Sequence, residues 1–261
     1  MGNILFFLNP GSNRTGSIGE IIGTYLQDSS WPDVDAFLTN LTLSKMNYKS
    51  FNYVQIEMSK ETGLYSLYYL NNNDTSWYKK MNENEKDRFV FSVSNSDLNR
   101  PFNKVSYGRN LFEKIIDDYE KQSNKSQLIN NLLFDLMQNT NENFPDQNLK
   151  AFMNIQNDLL VRNVSKINAD YGSFWTNAHT RTSTVILVDY DDNVEYYELN
   201  LTSWRNETDF NIGSKEWTLN SFRFKANPFY KEDSQSSSLT HKFYYRNFLA
   251  CFFILILFSQ I

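Results

Sequence analysis

One cysteine, Cys251, and two histidines, His179 and His241, are all that this 261-residue chain offers of those types. An internal disulfide is therefore excluded, thiolate-rich metal sites are excluded with it, and no histidine-based metal centre is expected. Positive charge is also in short supply. Lys and Arg number 25 against 30 Asp and Glu, for a net charge of −5. With a pI near 5.2 and no basic stripe, a nucleic-acid partner bound through its phosphates is not expected. No positively charged segment followed by a long apolar run precedes Asn9, so no cleaved signal peptide is expected. Phe6 stands where myristoylation of Met1-Gly2 would require Ser or Thr. The longest apolar run, Phe248 to Phe258, has eleven residues, short of the roughly 18–20 that a spanning helix needs.

Apolar residues are nonetheless 41% of the chain and aromatics 16%, enough for a globular core in one large domain or two small ones. NILFFL (Asn3 to Leu8), stopped by Asn9-Pro10-Gly11, reads as a buried strand with nothing ahead of it to pack on. SIGEIIGTYL from Ser17 has helical spacing, with Ser17 and Glu20 as a capping box. A second short helix is expected from Asp33, and a third from Thr42 to Met46. FNYVQIEM (Phe51 to Met58) and GLYSLYYL (Gly63 to Leu70) form a hairpin. A polar connection follows, then a strand at RFVFSVSN (Arg88 to Asn95). Gly108 to Gln122 and Ser126 to Gln138 are successive amphipathic helices, the first with Leu111, Ile115, Ile116 and Tyr119 on one face. Residues 139–177 read as loop with some helix near Leu149 to Val161. TVILVD and VEYYEL make a second hairpin about the turn at Tyr190 to Asn193, and Glu216 to Lys225 alternates as one further strand. Hairpins segregated from helix pairs indicate an α+β fold, with two sheets or one large antiparallel sheet flanked by helices.

Catalytic groupings are sparse. Cys251 lies in an apolar tail that disfavours a thiolate, and neither histidine is near a nucleophile elbow. Asp189, Asp191 and Asp192 read as a solvated turn before they read as a metal cluster. Gly11 to Gly19 matches no phosphate-loop spacing and reads as a strand-to-helix connection that could offer free amides to an anion. N-x-S/T sequons at Asn13, Asn40, Asn73, Asn124, Asn163, Asn200 and Asn206 reflect the abundance of Asn more than secretion. Arg181 is different, because Thr180, Thr182, Ser183 and Thr184 surround it at the mouth of a strand. Read from residues alone, it is an edge-strand Arg paired to a neighbouring acid. The alternative is a bidentate grip on a carboxylate or phosphate, with the hydroxyls completing the shell.

HTRTSTVILVDYDDNVEYYEL resembles the closing motif of the transport and Golgi organization protein 2 family, also called the NRDE family. That motif is Y-G-T-R-[ST]-[NS]-T, an apolar strand, Asp, a turn and a strand with Glu. Other segments agree in order. GNILFFLN is similar to the family's G-x-L-A-x-L-T-N strand, and SIGEII to S-R-G-E-L-V, with Ser17, Gly19 and Glu20 matched. Phe51-Asn52 is similar to G-F-N-L, SVSNS to G-L-S-N, and Pro101-Phe102-Asn103-Lys104 to P-W-x-K. The resemblance spans about residues 2–224. Ile18 departs from the family's Arg and His179 from its Gly.

The resemblance implies an αββα sandwich like that of N-terminal-nucleophile hydrolases, over residues 1–225 and incomplete at its amino terminus, because the family's Met-Cys and N-R-D-E segment are not encoded. Residues 226–247 are then a polar linker and 248–261 a hydrophobic tail. It implies cleft residues at Arg181, Thr182 and Thr180, with Asn9 and Asn95 placed for oxyanion support. Without the nucleophilic Cys, amide hydrolysis is not expected of this chain. The implied role is non-catalytic, in Golgi and endoplasmic-reticulum organisation and secretion. The alternatives are haem or lipid (acyl-CoA) trafficking, with His179 as a candidate axial ligand, and an amidohydrolase whose catalytic amino terminus lies outside this sequence. The expected location is cytoplasmic, with Golgi, endoplasmic-reticulum or mitochondrial association. The tail through Phe248 to Phe258 is read as a membrane contact, a glycolipid-anchor signal or a misassigned end of the gene.

Overall fold

The computed structural model describes residues 2–8, 21, 25, 33–44, 51–58, 65–71, 77–81, 90–94, 96, 98–154, 157–168, 180, 182–189, 193–203, 216–225 and 250–253. They form an α+β protein with two separate four-stranded antiparallel sheets. The first sheet is a meander of β1 (Gly2–Leu8), β2 (Asn52–Met58), β3 (Tyr65–Asn71) and β4 (Trp77–Met81) in chain order. The orphan strand at the start of the chain is thus paired along its whole length, from Gly2 opposite Met58 to Leu8 opposite Asn52.

Strand alternation gives this sheet two apolar faces. On one, Tyr53, Tyr68 and Leu70 pack with Phe51 against Val34, Phe37, Leu38 and Leu41 of helix α1 (Val34–Ser44) and against Ile21. Gln55 is buried among them and donates to the Tyr25 hydroxyl at 2.9 Å. The Tyr53 hydroxyl donates to the Gln55 carboxamide oxygen. Burial, with Tyr25 and Tyr68 adding to it, pushes the Tyr53 phenol up, so it remains a neutral donor. On the other face Val54, Ile56, Leu67 and Tyr69 meet Phe91, Val93 and Leu98.

Asp33 onward forms a single helix to Ser44, because the apolar stripe Val34, Phe37, Leu38, Leu41 runs on without a break. The polar connection after β3 contains β4, which the pairing with β3 draws into the sheet despite its lysines. Residues 90–94 are not a strand. Their alternation serves packing instead: Phe91 and Val93 cover the first sheet while Val90 packs on the second core.

That second core lies between helices and the second sheet. α2 (Asn103–Gln122) begins five residues before the expected start, and α3 (Lys125–Asn130) continues as a π-helical segment, Asn131–Leu136. The Asn124 side chain caps α3 by accepting from the Gln127 amide at 3.1 Å. α4 (Gln147–Met153) and α5 (Asp158–Val164) resolve the helix expected near Leu149. The sheet runs β7 (Glu216–Lys225), β6 (Asn193–Ser203), β5 (Thr182–Val188), β8 (Ala250–Phe253). Val185, Leu187, Tyr197 and Leu199 pack under Phe112, Ile115, Ile116, Leu132, Leu133 and Leu136. Each such side chain contributes about 1.5–3 kcal/mol by leaving water. The apolar tail supplies β8, which adds to the free edge of β5 with Cys251 opposite Leu187. Among the described residues no helix is long and apolar enough to cross a membrane.

The helix expected over Ser17 to Leu26 is described only at Ile21 and Tyr25, both helical. Gly11 to Gly19 lies outside the described residues.

Candidate functional site

The hydroxyl-rich start of β5 is wired across to β6. Thr182 and Thr184 share one face of the sheet, opposite Asn200 and Glu198. The Thr182 hydroxyl donates to Asn200 Oδ1 at 2.8 Å, and Asn200 Nδ2 donates to Glu198 Oε1 at 2.6 Å. Tyr196 donates to Glu198 Oε2 at 2.5 Å, and Thr184 also hydrogen-bonds that phenol. Phe222 of β7 closes the row, its ring 6.0 Å from that of Tyr196.

The electrostatics follow from this ladder. Hydrogen bonds from Tyr196 and Asn200 hold the Glu198 carboxyl below its usual range. Partial burial, together with the bond to Glu198, pushes the Tyr196 phenol up. Glu198 is therefore an anion that accepts one of these hydrogen bonds on each oxygen. A carboxylate in that state is not tuned for general-base work near neutral pH, which needs a pKa close to the working pH. The ladder orients groups.

The opposite face of β5 is tied down as well. Ser183 is buried and accepts from Gln138 Nε2 at 3.1 Å, and Asn168 Nδ2 donates to Gln138 Oε1 at 2.6 Å. The Asn168 amide donates to the Asn139 carbonyl at 2.9 Å. Gln138 reaches Ser183 from the end of the π-helical segment, a helix type found often beside functional sites. Nearer the turn, Glu195 accepts from Lys125 at 2.6 Å and from Tyr197 at 2.7 Å. Burial opposes its ionisation, but these bonds and the nearby Arg223 hold it below its usual range. Asp189 accepts from the Asn193 amide at 2.9 Å and from its carboxamide. It acts as a turn residue, and no metal-holding cluster occurs among the described residues.

Of the residues expected in the cleft, Thr182 is the ladder's terminal hydroxyl and Thr180 stands partly exposed two positions before it. Arg181, Asn9, Asn95 and His179 lie outside the described residues. Their neighbours are informative for two of them. Leu8 pairs with Asn52, and the Asn52 side chain donates to the Ser94 carbonyl at 2.6 Å. The residues that precede Asn9 and Asn95 are thus gathered at one end of the first sheet.

Asn52 is the residue that sequence reasoning missed as a site component. It is fully buried, and its Oδ1 accepts from Tyr69 at 2.9 Å and from Asn71 at 2.6 Å. Ser94 and Ser96 hydroxyls bond to one another at 3.0 Å beside it. The carboxamide at the opening of the aromatic and β-branched strand FNYVQI was the available signal, since a buried Asn must be satisfied by specific partners.

Fold and site together define an α+β protein with two antiparallel sheets, each backed by helices. Its polar clusters sit at the end of one sheet and along a strand pair of the other. A family model described as Transport and Golgi organisation 2 matches residues 5–203, from within β1 to the last residue of β6. The chain belongs to that family. It is also 28% identical over 220 residues to a Bos taurus protein named Transport and Golgi organization protein 2 homolog. That alignment covers 77% of this chain and 70% of the relative.

Proposed function

We propose that this chain is a non-catalytic member of its family, acting in Golgi and endoplasmic-reticulum organisation and secretion by holding a small anionic ligand at the Thr180-Arg181-Thr182 segment. The observation that carries this reading is the Thr182–Asn200–Glu198–Tyr196–Thr184 ladder. It fixes the hydroxyl of Thr182, the residue that follows Arg181 in the sequence, and holds its one carboxylate below the usual range. The Golgi assignment draws on the name of the Bos taurus relative. The two helix-backed sheets support an αββα sandwich of the N-terminal-nucleophile-hydrolase kind, a fold that by itself implies no activity. The sequence's one cysteine is opposite Leu187 in β8, and its sequence neighbours are apolar, a setting that disfavours a thiolate.

Haem and acyl-CoA are the ligands to titrate, since both present carboxylate or phosphate groups to an arginine. Arg181→Ala is expected to weaken binding by about 10–100-fold, the worth of a charge-assisted hydrogen-bond pair. Equal dissociation constants for the two proteins, by calorimetry or absorbance titration, would sink the assignment of Arg181. The non-catalytic reading has its own test. Turnover of an amide substrate by the chain, abolished in Cys251→Ser, would overturn it.

A further inference from the structure

β5 is held unevenly along its length. It pairs with β6 from Thr182 to Val188, but β8 pairs only with Val185 to Val188. Among the described strands, the half from Thr182 to Thr184 therefore has backbone partners on one side only, a setting in which strand ends fray. A side-chain tie from the helical layer stands at that half. Ser183, 4% exposed, accepts from Gln138 Nε2 at 3.1 Å. Gln138 is itself fixed at both ends. Its backbone follows Leu136 and Met137, both buried in the second core, and the Met137 amide closes the wide turn onto the Leu132 carbonyl. Its Oε1 accepts from Asn168 Nδ2 at 2.6 Å, and the Asn168 amide is anchored on the Asn139 carbonyl at 2.9 Å. Asn168 is 6% exposed and its Oδ1 has no hydrogen-bond partner. Its side chain thus makes one bond, the bond that turns the Gln138 carboxamide toward Ser183.

We propose that Gln138 is the positioning residue of the Thr180-Arg181-Thr182 segment: through Ser183 it keeps the start of β5 in strand geometry, so that the segment meets its ligand already ordered. The function so assigned rests on the anionic-ligand reading above. Thr182 and Ser183 are consecutive strand residues and point to opposite faces of the sheet. The Asn200 carboxamide holds the first and the Gln138 carboxamide holds the second, so the start of the strand is gripped from both faces. A ligand for a frayed segment finds the competent conformation only part of the time, and its apparent affinity falls by that fraction. Gln138 acts through Ser183 and not on the ligand. Because the π-helical segment sets where Gln138 projects, the same contact ties the ligand segment to the helical layer.

Hydrogen exchange resolved by NMR tests this on the full chain, comparing the β5 amides of Thr182 to Thr184 with those of Val185 to Val188. In Gln138→Leu, which loses both carboxamide bonds, protection in the first group is expected to fall about tenfold or more while the second stays within about twofold. Gln138→Glu is expected to keep the unaltered pattern, since its two oxygens can accept from Asn168 Nδ2 and from the Ser183 hydroxyl. Unchanged protection in Gln138→Leu, or an equal fall along the whole strand, would overturn the proposal. A Gln138→Glu protein that frays like Gln138→Leu would do the same. Should Gln138→Leu fail to fold, Ser183→Ala breaks the same contact and takes its place. Titration of haem and acyl-CoA into these proteins tests the function: dissociation constants about tenfold weaker for Gln138→Leu and unchanged for Gln138→Glu are expected. Equal affinities in all three proteins would overturn the positioning role. Failure of the unaltered protein to bind either probe strikes the ligand reading alone, and the contrast in protection then decides the role of Gln138.

Discussion

Asn52→Ala is expected to lower stability by about 3 kcal/mol or more, read as a drop in the urea midpoint at unchanged slope. The Ser94 carbonyl, the Tyr69 hydroxyl and the Asn71 carboxamide all bond the Asn52 side chain, and stranding a buried polar group costs about 1–3 kcal/mol. Asn71→Ala removes the bond to Asn52 from a less buried residue and should cost about 1 kcal/mol. Asn52→Leu should not rescue the loss, because an apolar side chain of similar volume restores none of the three bonds. The Asn52→Ala and Tyr69→Phe changes should couple in a double-mutant cycle by about 0.5–3 kcal/mol. A loss below about 1 kcal/mol would mean that water replaces the carboxamide and that Asn52 does not hold the residues flanking Asn9 and Asn95.

The second large effect falls in the π-helical segment. Leu133→Ala should cost about 2–5 kcal/mol, while Phe134→Ala, its immediate neighbour, should stay within about 0.5–1 kcal/mol. Leu133 is 0% exposed in the second core and Phe134 is 49% exposed. The i→i+5 bond from the Met137 amide to the Leu132 carbonyl, 3.0 Å, widens the turn. Leu132, Leu133, Leu136 and Met137 thereby gather on one stripe, and Gln138 is delivered to Ser183. Thermal or urea unfolding of the two variants reads the contrast directly. Similar losses for both would show that Leu133 and Phe134 do not divide between core and solvent in this way.

Legibility varied with how local the cause was. Both hairpins and β7 were readable from alternation and turn residues, and α2 and α3 from their apolar stripes. Ile115 and Ile116 are buried as that stripe predicts, with Leu111 and Tyr119 at its margin and Phe112 added to the core. β4 was not readable, because WYKKM carries two lysines and becomes a strand through its partner β3. Residues 90–94 failed in the opposite sense: their alternation is real, but it packs a strap on two cores. The π-helical widening left no trace either, since a period of 3.6 and a single wider turn bury nearly the same leucines over so short a span.

The candidate site divides the same way. Thr180 and Thr182 were legible from the hydroxyl cluster about Arg181. Glu198, Tyr196, Asn200, Gln138 and Asn52 were not, because their roles depend on cross-strand register and on residues up to 45 positions away. The amino-acid sequence by itself determined the α+β class, the family and the hydroxyl-arginine segment, since patterning and short motifs are local properties of the chain. Only the tertiary structure decided that the strands divide into two sheets, that Asn52 carries the end of one, and that Gln138 meets Ser183. Those outcomes depend on which distant groups are desolvated together, and no local pattern records that.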